Sequence, residues 1–170
     1  KRDWSSDVCS SDLMLTAELT GAGVVIISGL ALGVDSIAHR ASLKASGTTI
    51  AVLPGGIKKI YPRSHESLAR QIIDNGGVLI SEKQSTESPR AYDFLYRNRI
   101  ISGLSDAVLI TEAAARSGSL NTARHALEQG KTIFAVPGNI NNSYSEGTNN
   151  LIKMGAHLVT SAQDIFTIMG

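Results

Sequence analysis

Short apolar segments alternate along this chain with longer segments whose apolar residues recur at helical spacing. The apolar segments are rich in β-branched residues and apolar on both faces, which is typical of buried parallel strands. They comprise residues 24–27, 49–53, 78–80, 107–110, 132–136 and 157–159. The intervening segments have the length of crossover helices. They comprise residues 35–45, 64–75, 92–104, 120–129, 149–154 and 162–168.

This alternation predicts the fold class. Repeated strand–helix–strand units build an α/β fold with a doubly wound, mostly parallel sheet. Glycines follow two predicted helices, Gly130 after one and Gly76 with Gly77 after another. Because glycine adopts the left-handed conformation that ends many helices, these positions are predicted helix stops.

The first residues differ from the rest of the chain. Residues 3–13 have no amphipathic period and join abruptly to the regular pattern that begins near Met14. They also match one reading frame of a common sequencing adapter. We therefore interpret residues 1–13 as adapter-derived and outside the fold, and residues 14–170 as one domain that is truncated at its N-terminus. A natural flexible terminus is the alternative.

Composition narrows the class of protein. A chain of 170 residues with 42% hydrophobic content can bury one core. The formal net charge is only +1, so a site for a polyanion has to be local. One cysteine and four histidines without metal-ligand spacing predict neither a disulfide framework nor a metal, and no cofactor is expected. No apolar run approaches the length of a membrane span, and we expect a cytoplasmic protein.

Glycine-rich turns follow four of the predicted strands. The first contains Ser28, Gly29 and Gly33, with Asp35 placed to cap the next helix. The others are Pro54-Gly55-Gly56 followed by Lys58 and Lys59, Arg116-Ser117-Gly118-Ser119, and Pro137-Gly138-Asn139. Ligands of parallel sheets bind at the carboxyl ends of strands, where helix N-termini offer N–H groups. Four converging turns predict an anion site, although turns also need glycine for their own geometry.

A second signal combines aromatic and basic residues. Phe94 and Tyr96 stand beside Arg97, Asn98 and Arg99. Aromatic rings stack on bases and guanidinium groups hold phosphates, so this combination is typical of single-strand binding. The alternative is core packing by the rings with a salt-bridged arginine pair.

Basic residues also surround Tyr61-Pro62. Lys58, Lys59 and Arg63 lie close to this dipeptide in the sequence. They are candidates for phosphate contacts, or else they form a solvated loop.

Several common activities lack their motifs. The first glycine turn does not have the spacing of a dinucleotide-binding turn, and no phosphate loop of the ATPase type is present. The candidate catalytic carboxylates are Glu82 and Glu112, for which helix capping or ion pairing is the favoured interpretation. We therefore expect a protein that is not an enzyme.

At these residues the chain resembles the DprA/Smf family, also called DNA-processing protein A. The resemblance extends over about residues 24–165. It is carried by SGLALGVDSIAHRASL, AVLPGGIKKIYP, LISE, RNRIISGLSDAVLITEAAARSGSLNTARHALEQGK, AVPG and EGTNNLIKMGA. Among these motifs, RNRIISGLS and RSGSL are the most specific.

The resemblance implies an extended Rossmann-like domain that dimerises, binds single-stranded DNA and loads the RecA recombinase. The implied phosphate pocket comprises Ser28, Gly29, Gly33, Arg97, Arg99, Ser117, Gly118 and Ser119, to which the basic residues add Lys58, Arg63 and Arg116.

The chain departs from the family pattern in two places. Leu32 stands where many relatives have a basic residue, and the family's opening strand and helix are replaced by the adapter-like segment.

Two other functions remain open. The lysine-decarboxylase-like (LOG) nucleoside-monophosphate phosphoribohydrolases share this architecture, and Pro54-Gly55-Gly56 matches the start of their phosphate-binding motif. Such an enzyme would release the free base from AMP. A scaffold that binds only proteins would explain the fold but not the converging glycine turns.

Overall fold

A computed structural model describes residues 6–170, with side chains from Asp12 onward. The helices are α1 (Ser6–Gly21), α2 (Val34–Lys44), α3 (Glu66–Asp74), α4 (Ala91–Leu104), α5 (Gly118–Glu128), α6 (Glu146–Lys153) and α7 (Ala162–Met169). The strands are β1 (Ile26–Ser28), β2 (Thr49–Val52), β3 (Val78–Ile80), β4 (Ala107–Ile110), β5 (Thr132–Ala135) and β6 (His157–Leu158). Short 3-10 turns precede α3 and α6. The chain divides into two compact units, Lys1–Asp93 and Phe94–Gly170.

The first unit contains a parallel sheet in the order β1-β2-β3. Its register pairs Ile27 with Ile50, and Ile50 with Val78. The central strand β2 is the most buried of the three, as expected for a strand with a neighbour on each side. The core of this unit consists of Leu30, Ala51, Leu53, Leu68, Ala69 and Ile72.

The second unit contains a parallel sheet in the order β4-β5-β6. Val108 pairs with Ile133, and Phe134 pairs with His157. Helix α5 packs against β4 and β5, and α6 packs against β5. The core consists of Val108, Ile110, Ala113, Ala123 and Ala126.

The structure confirms the α/β class with parallel strands. All six predicted strands and all six predicted helices are present, with bounds that differ by a few residues. The predicted stops at Gly76 and Gly130 have φ angles of 80° and 69°, the left-handed conformation that glycine adopts without strain. The strands pair as two sheets of three. No helix in the range 6–170 is long and apolar enough to cross a membrane.

Helix α1 begins before the regular sequence pattern does. It contacts α2, and its Leu15 and Leu19 are buried. Residues 6–13 have helical backbone in the structure, and residues 1–5 lie outside the described part of the chain. The interpretation of residues 1–13 as adapter-derived stays a prediction.

A loop of residues 81–90, the cover loop, lies directly on the Pro54-Gly55-Gly56 turn. The Gly56 N–H donates to the Glu87 carbonyl at 2.8 Å, and the Lys58 N–H donates to the Ser85 carbonyl at 2.8 Å. A methyl group on Gly56 would overlap the backbone of Gln84 and Ser85. Glycine is therefore required here by the close approach of two backbone segments.

Replacing Gly56 by alanine should destabilise the chain, since the backbone beneath the cover loop has no room for a methyl group. We expect Gly56→Ala to lower the free energy of unfolding by about 1–3 kcal/mol. Urea unfolding followed by circular dichroism measures the change. Gly103 lies in α4, where an added methyl group would lie 3.6 Å from Gln129 Nε2, so Gly103→Ala is the matched control. It should stabilise by about 0.5–1 kcal/mol, and equal effects at the two positions would contradict this account.

Candidate nucleic-acid interface

The first glycine turn is closed by a carboxylate from its own helix. The Gly29 and Ala31 N–H groups each donate to Asp35 Oδ2 at 3.1 Å. The prediction that Asp35 caps α2 is wrong, because Gly33 is the N-cap residue and no side chain caps this helix. Asp35 instead reaches back across the turn and supplies the anion that these N–H groups bind.

Leu30 fixes the shape of the same turn. It is fully buried and has a positive φ of 59°, an uncommon conformation for a branched residue. His65 Nδ1 lies 2.8 Å from the Leu30 carbonyl, so this ring nitrogen carries the proton and donates. Leu32 is 71% exposed. The turn presents an apolar side chain to solvent.

Basic residues of the first unit line a cleft of about 280 Å³. This basic cleft is lined by Lys58, Lys59, Tyr61, Arg63, Glu66 and Pro89. Three cations face one carboxylate, and the tyrosine ring is 53% exposed. The structure thus brings together Lys58 and Arg63, two of the residues that the sequence indicates for phosphate contacts.

In the second unit, the two arginines of α4 have different surroundings. Arg97 is only 6% exposed, and its Nε donates to Asn98 Oδ1 at 3.2 Å. The Arg99 guanidinium carbon lies 4.3 Å from the centre of the exposed Tyr96 ring. Arg99 and Tyr96 are therefore in contact, while the predicted stacking of a base on the ring stays a prediction. Arg97 is buried, and its contact with a phosphate stays a prediction.

The turn before α5 is hydrogen-bonded to α4. Ser117 caps α5 by accepting the Ser119 N–H at 3.2 Å, and its hydroxyl lies 3.2 Å from the Ser119 hydroxyl. The Asn98 amide donates to the Gly118 carbonyl at 3.2 Å. Sequence reasoning noted Asn98 but gave it no such role, since a hydrogen bond across 20 residues leaves no local pattern. The two most specific motifs of the chain thus meet in one unit.

The Asn121 side chain makes a second link between the same helices. In the orientation that satisfies both ends of its amide, it donates to the Leu95 carbonyl at 2.9 Å and accepts from Arg124 at 3.1 Å. Arg116 is exposed just ahead of α5. The turn of residues 116–119, called the serine turn, is therefore hydrogen-bonded to α4, while its Arg116 and Gly118 are exposed.

The two candidate catalytic carboxylates have different surroundings. Burial raises the pKa of Glu112, and Glu82 is exposed. The described part of the chain contains no group of three His, Cys, Asp or Glu side chains that could hold a metal ion.

These features define a class of protein. Parallel α/β units with capped turns at strand ends and an open basic cleft are typical of Rossmann-like proteins that bind phosphate groups. The chain belongs to the DNA recombination-mediator protein A family, whose model matches residues 1–170.

Named relatives agree with this assignment. Protein Smf of Escherichia coli K12 is 54% identical over 147 residues, which cover 86% of this chain and 39% of the relative. The structure of DNA processing protein A from Streptococcus pneumoniae is 40% identical, with a TM-score of 0.89 over 98% of this chain and 58% of that one. DNA processing protein A from Helicobacter pylori, described for its single-stranded DNA binding mode, has 34% identity, a TM-score of 0.87, and coverage of 99% and 76%. The chain spans about 40 to 50% of the length of the first curated relatives.

Removing the carboxylate from the first glycine turn should destabilise the fold. Asp35→Ala leaves two backbone N–H groups without their acceptor, at a cost of about 1–3 kcal/mol. Asp35→Asn keeps one oxygen acceptor and should lose less. Urea unfolding of both variants tests this expectation, and equal stability of Asp35→Ala and the parent would contradict it.

Proposed function

We propose that this chain binds single-stranded DNA, with backbone phosphates held in the basic cleft. The observation that carries the proposal is the grouping of Lys58, Lys59 and Arg63 around the exposed Tyr61 ring. Cations that track the backbone beside an aromatic platform are the usual arrangement of single-strand binders. The Helicobacter pylori relative, described as a single-stranded DNA binder, supports the assignment.

We further propose that the second unit has DNA contacts of its own. Arg99 over Tyr96 offers a cation and a ring edge, and the serine turn offers hydroxyl groups beside the first N–H of α5. The Ser119 N–H is already used by Ser117, so Gly118 is the residue whose N–H is best placed for a phosphate oxygen. Arg116 lies beside it in the sequence.

The first glycine turn has a smaller part in this proposal. Its N–H groups at Gly29 and Ala31 bind Asp35, which leaves Ser28 and Gly33 at the margins of the turn. A phosphate would have to displace a carboxylate from two hydrogen bonds. Contacts by Ser28, Gly29 and Gly33 stay predictions, and we place the main phosphate contacts at the basic cleft.

We propose that the chain acts by binding and not by catalysis. The rival phosphoribohydrolase would need the Pro54-Gly55-Gly56 turn as a phosphate site. The cover loop lies on that turn and accepts the Gly56 N–H, so the turn offers no open anion site. Release of adenine from AMP, followed by chromatography, tests the rival function, and we expect none.

The proposal includes RecA as a protein partner and the cytoplasm as the compartment. RecA is the partner that the resemblance to the DprA/Smf family implies, and the cytoplasm is the compartment expected from the sequence. Purified RecA should be retained by the immobilised chain in the presence of a single-stranded oligonucleotide. The absence of retention by the folded chain would remove RecA from the proposal without touching DNA binding.

We also propose a homodimer, supported by an apolar cleft of about 400 Å³ in the second unit. Its walls include Ile140, Ile152 and Leu158, of which Ile140 is 90% exposed. Glu146 and Lys153 line the same cleft. A two-fold axis would allow each acidic group to meet the partner's basic group, as self-complementary interfaces require.

The DNA proposal predicts binding of labelled oligothymidine that weakens as salt increases. Arg63→Ala and Lys58→Ala should each weaken binding and reduce the slope of log K against log salt by about 0.7, the value for one lost phosphate contact on a single strand. Arg99→Ala tests the second unit in the same way. Fluorescence anisotropy at several salt concentrations gives both quantities.

Arg70→Ala is the matched control for these variants. Arg70 is exposed on α3 of the same unit and outside the basic cleft, and the substitution removes the same charge. It should leave the slope nearly unchanged. An equal loss in Arg70→Ala and Arg63→Ala would show that only net charge matters, and the localised site would then be wrong.

The dimer proposal predicts that Ile140→Asp weakens self-association. Because Ile140 is almost fully exposed, the change should leave the fold intact while placing a charge in the apolar cleft. Leu127→Asp is the control, since Leu127 is 67% exposed in the same unit but outside the cleft. Light scattering over a concentration series measures both, and an unchanged mass for Ile140→Asp would place the interface elsewhere.

A further inference from the structure

Lys83 lies in the cover loop, close in sequence to the residues of the basic cleft, but its charge is already neutralised. Its Nζ lies 2.9 Å from Asp93 Oδ1 and 3.3 Å from Glu87 Oε1. It also lies 5.8 Å from the centre of the Tyr92 ring. A lysine with two carboxylate partners has little attraction left for a phosphate. Its role is therefore to be sought within the protein.

Asp93 is the more unusual member of this group. Its side chain is 1% exposed, and Oδ2 accepts the Arg90 N–H at 2.7 Å at the start of α4. Hydrogen bonds from Lys83 and then from the Arg90 N–H hold the pKa of Asp93 below its ordinary value. Its contribution to stability is full above the ordinary pKa and is lost as the pH falls through the lowered pKa of the folded state. The ion pair is intact at neutral pH.

The cover loop connects this ion pair to the basic cleft. The Ser81 hydroxyl donates to the Gly55 carbonyl at 2.8 Å and accepts the Lys83 N–H at 2.9 Å. Further along, the loop accepts the N–H groups of Gly56 and Lys58. Ser88 and Pro89 then form part of the wall of the cleft. The backbone of Lys58 is thus hydrogen-bonded to a loop whose Lys83 is ion-paired with Asp93 in the first turn of α4.

We propose that the Lys83–Asp93 ion pair is a positioning device that holds the cover loop in place and thereby orients Lys58 and one wall of the basic cleft. This inference rests on the proposed DNA binding for its functional consequence. Asp93 and Lys83 act through the loop and touch no ligand themselves.

The alternative is that Lys83 itself binds a DNA phosphate. The two hypotheses predict opposite changes in DNA affinity for Asp93→Asn. This substitution keeps the shape of the side chain but removes its charge. If Lys83 were a DNA ligand, release from Asp93 would strengthen DNA binding. If the pair positions the loop, the same substitution weakens DNA binding, because Lys58 and the wall are less well held.

The experiment combines two measurements on the full chain. Hydrogen exchange of the Gly56 and Lys58 amides reports on the loop, because both donate to loop carbonyls. We expect Asp93→Asn to accelerate their exchange by about ten-fold or more, in proportion to the lost charged hydrogen bonds. Anisotropy with oligothymidine should show weaker binding but an unchanged salt slope, since Lys58, Lys59 and Arg63 keep their charges. Lys83→Met should reproduce both effects, and Glu87→Gln should give smaller ones.

Asp164→Asn is the matched control. Asp164 accepts the Thr160 and Ser161 N–H groups at the start of α7, and these bonds lower its pKa as in Asp93. Its loss should leave the Gly56 and Lys58 amides and DNA affinity unchanged. Unchanged amide exchange in a folded Asp93→Asn chain would overturn the proposal, as would tighter DNA binding. If the parent chain binds no DNA, the proposed function fails, while amide exchange still decides whether the pair holds the loop.

Discussion

The structure of the basic cleft depends on the direct packing of one backbone segment on another. The cover loop lies against Gly55 and Gly56 so closely that neither position has room for a side chain. This approach allows the Gly56 and Lys58 N–H groups to find loop carbonyls. Because the same loop supplies Ser88 and Pro89 to the cleft, the positions of Lys58 and the cleft wall follow from it. A glycine pair in the sequence therefore sets the geometry of residues several positions away.

Three carboxylates in the described part of the chain accept backbone N–H groups outside the basic cleft. Asp35 binds two N–H groups of the first glycine turn, Asp93 binds that of Arg90, and Asp164 binds those of Thr160 and Ser161. These carboxylates count toward the net charge of the chain, but they are hydrogen-bonded to backbone groups within the protein. A net charge of +1 is therefore compatible with a locally basic cleft, where three cations face one carboxylate. Net charge is a poor guide to polyanion binding when acidic groups are hydrogen-bonded to backbone N–H groups elsewhere in the fold.

The sequence pattern predicts the helices and strands of the fold. It does not predict which side chains and backbone groups interact at the turns. Strands and helices repeat with a period, and Gly76 and Gly130 end helices through a backbone conformation that favours glycine. Other interactions follow no periodic pattern in the sequence. They are the hydrogen bond from Gly29 to Asp35, the ion pair between Lys83 and Asp93, and the hydrogen bond from Asn98 to Gly118. They depend on tertiary placement, which single-sequence reasoning does not contain. Helix α1 was missed for a related reason, since its first half lacks an amphipathic pattern.

The glycine turns show why one sequence signal has two physical meanings. Glycine at a strand end permits close approach of a ligand, but it permits close approach of another backbone segment equally well. At Gly55 and Gly56 the neighbouring space is filled by the cover loop, and at Gly138 it is filled by Ser145. At Gly118 the space that a side chain would take is open, and its φ is not positive. Packing and backbone conformation therefore explain the first three glycines but not the fourth. A phosphate contact at Gly118, at the start of α5, stays a prediction.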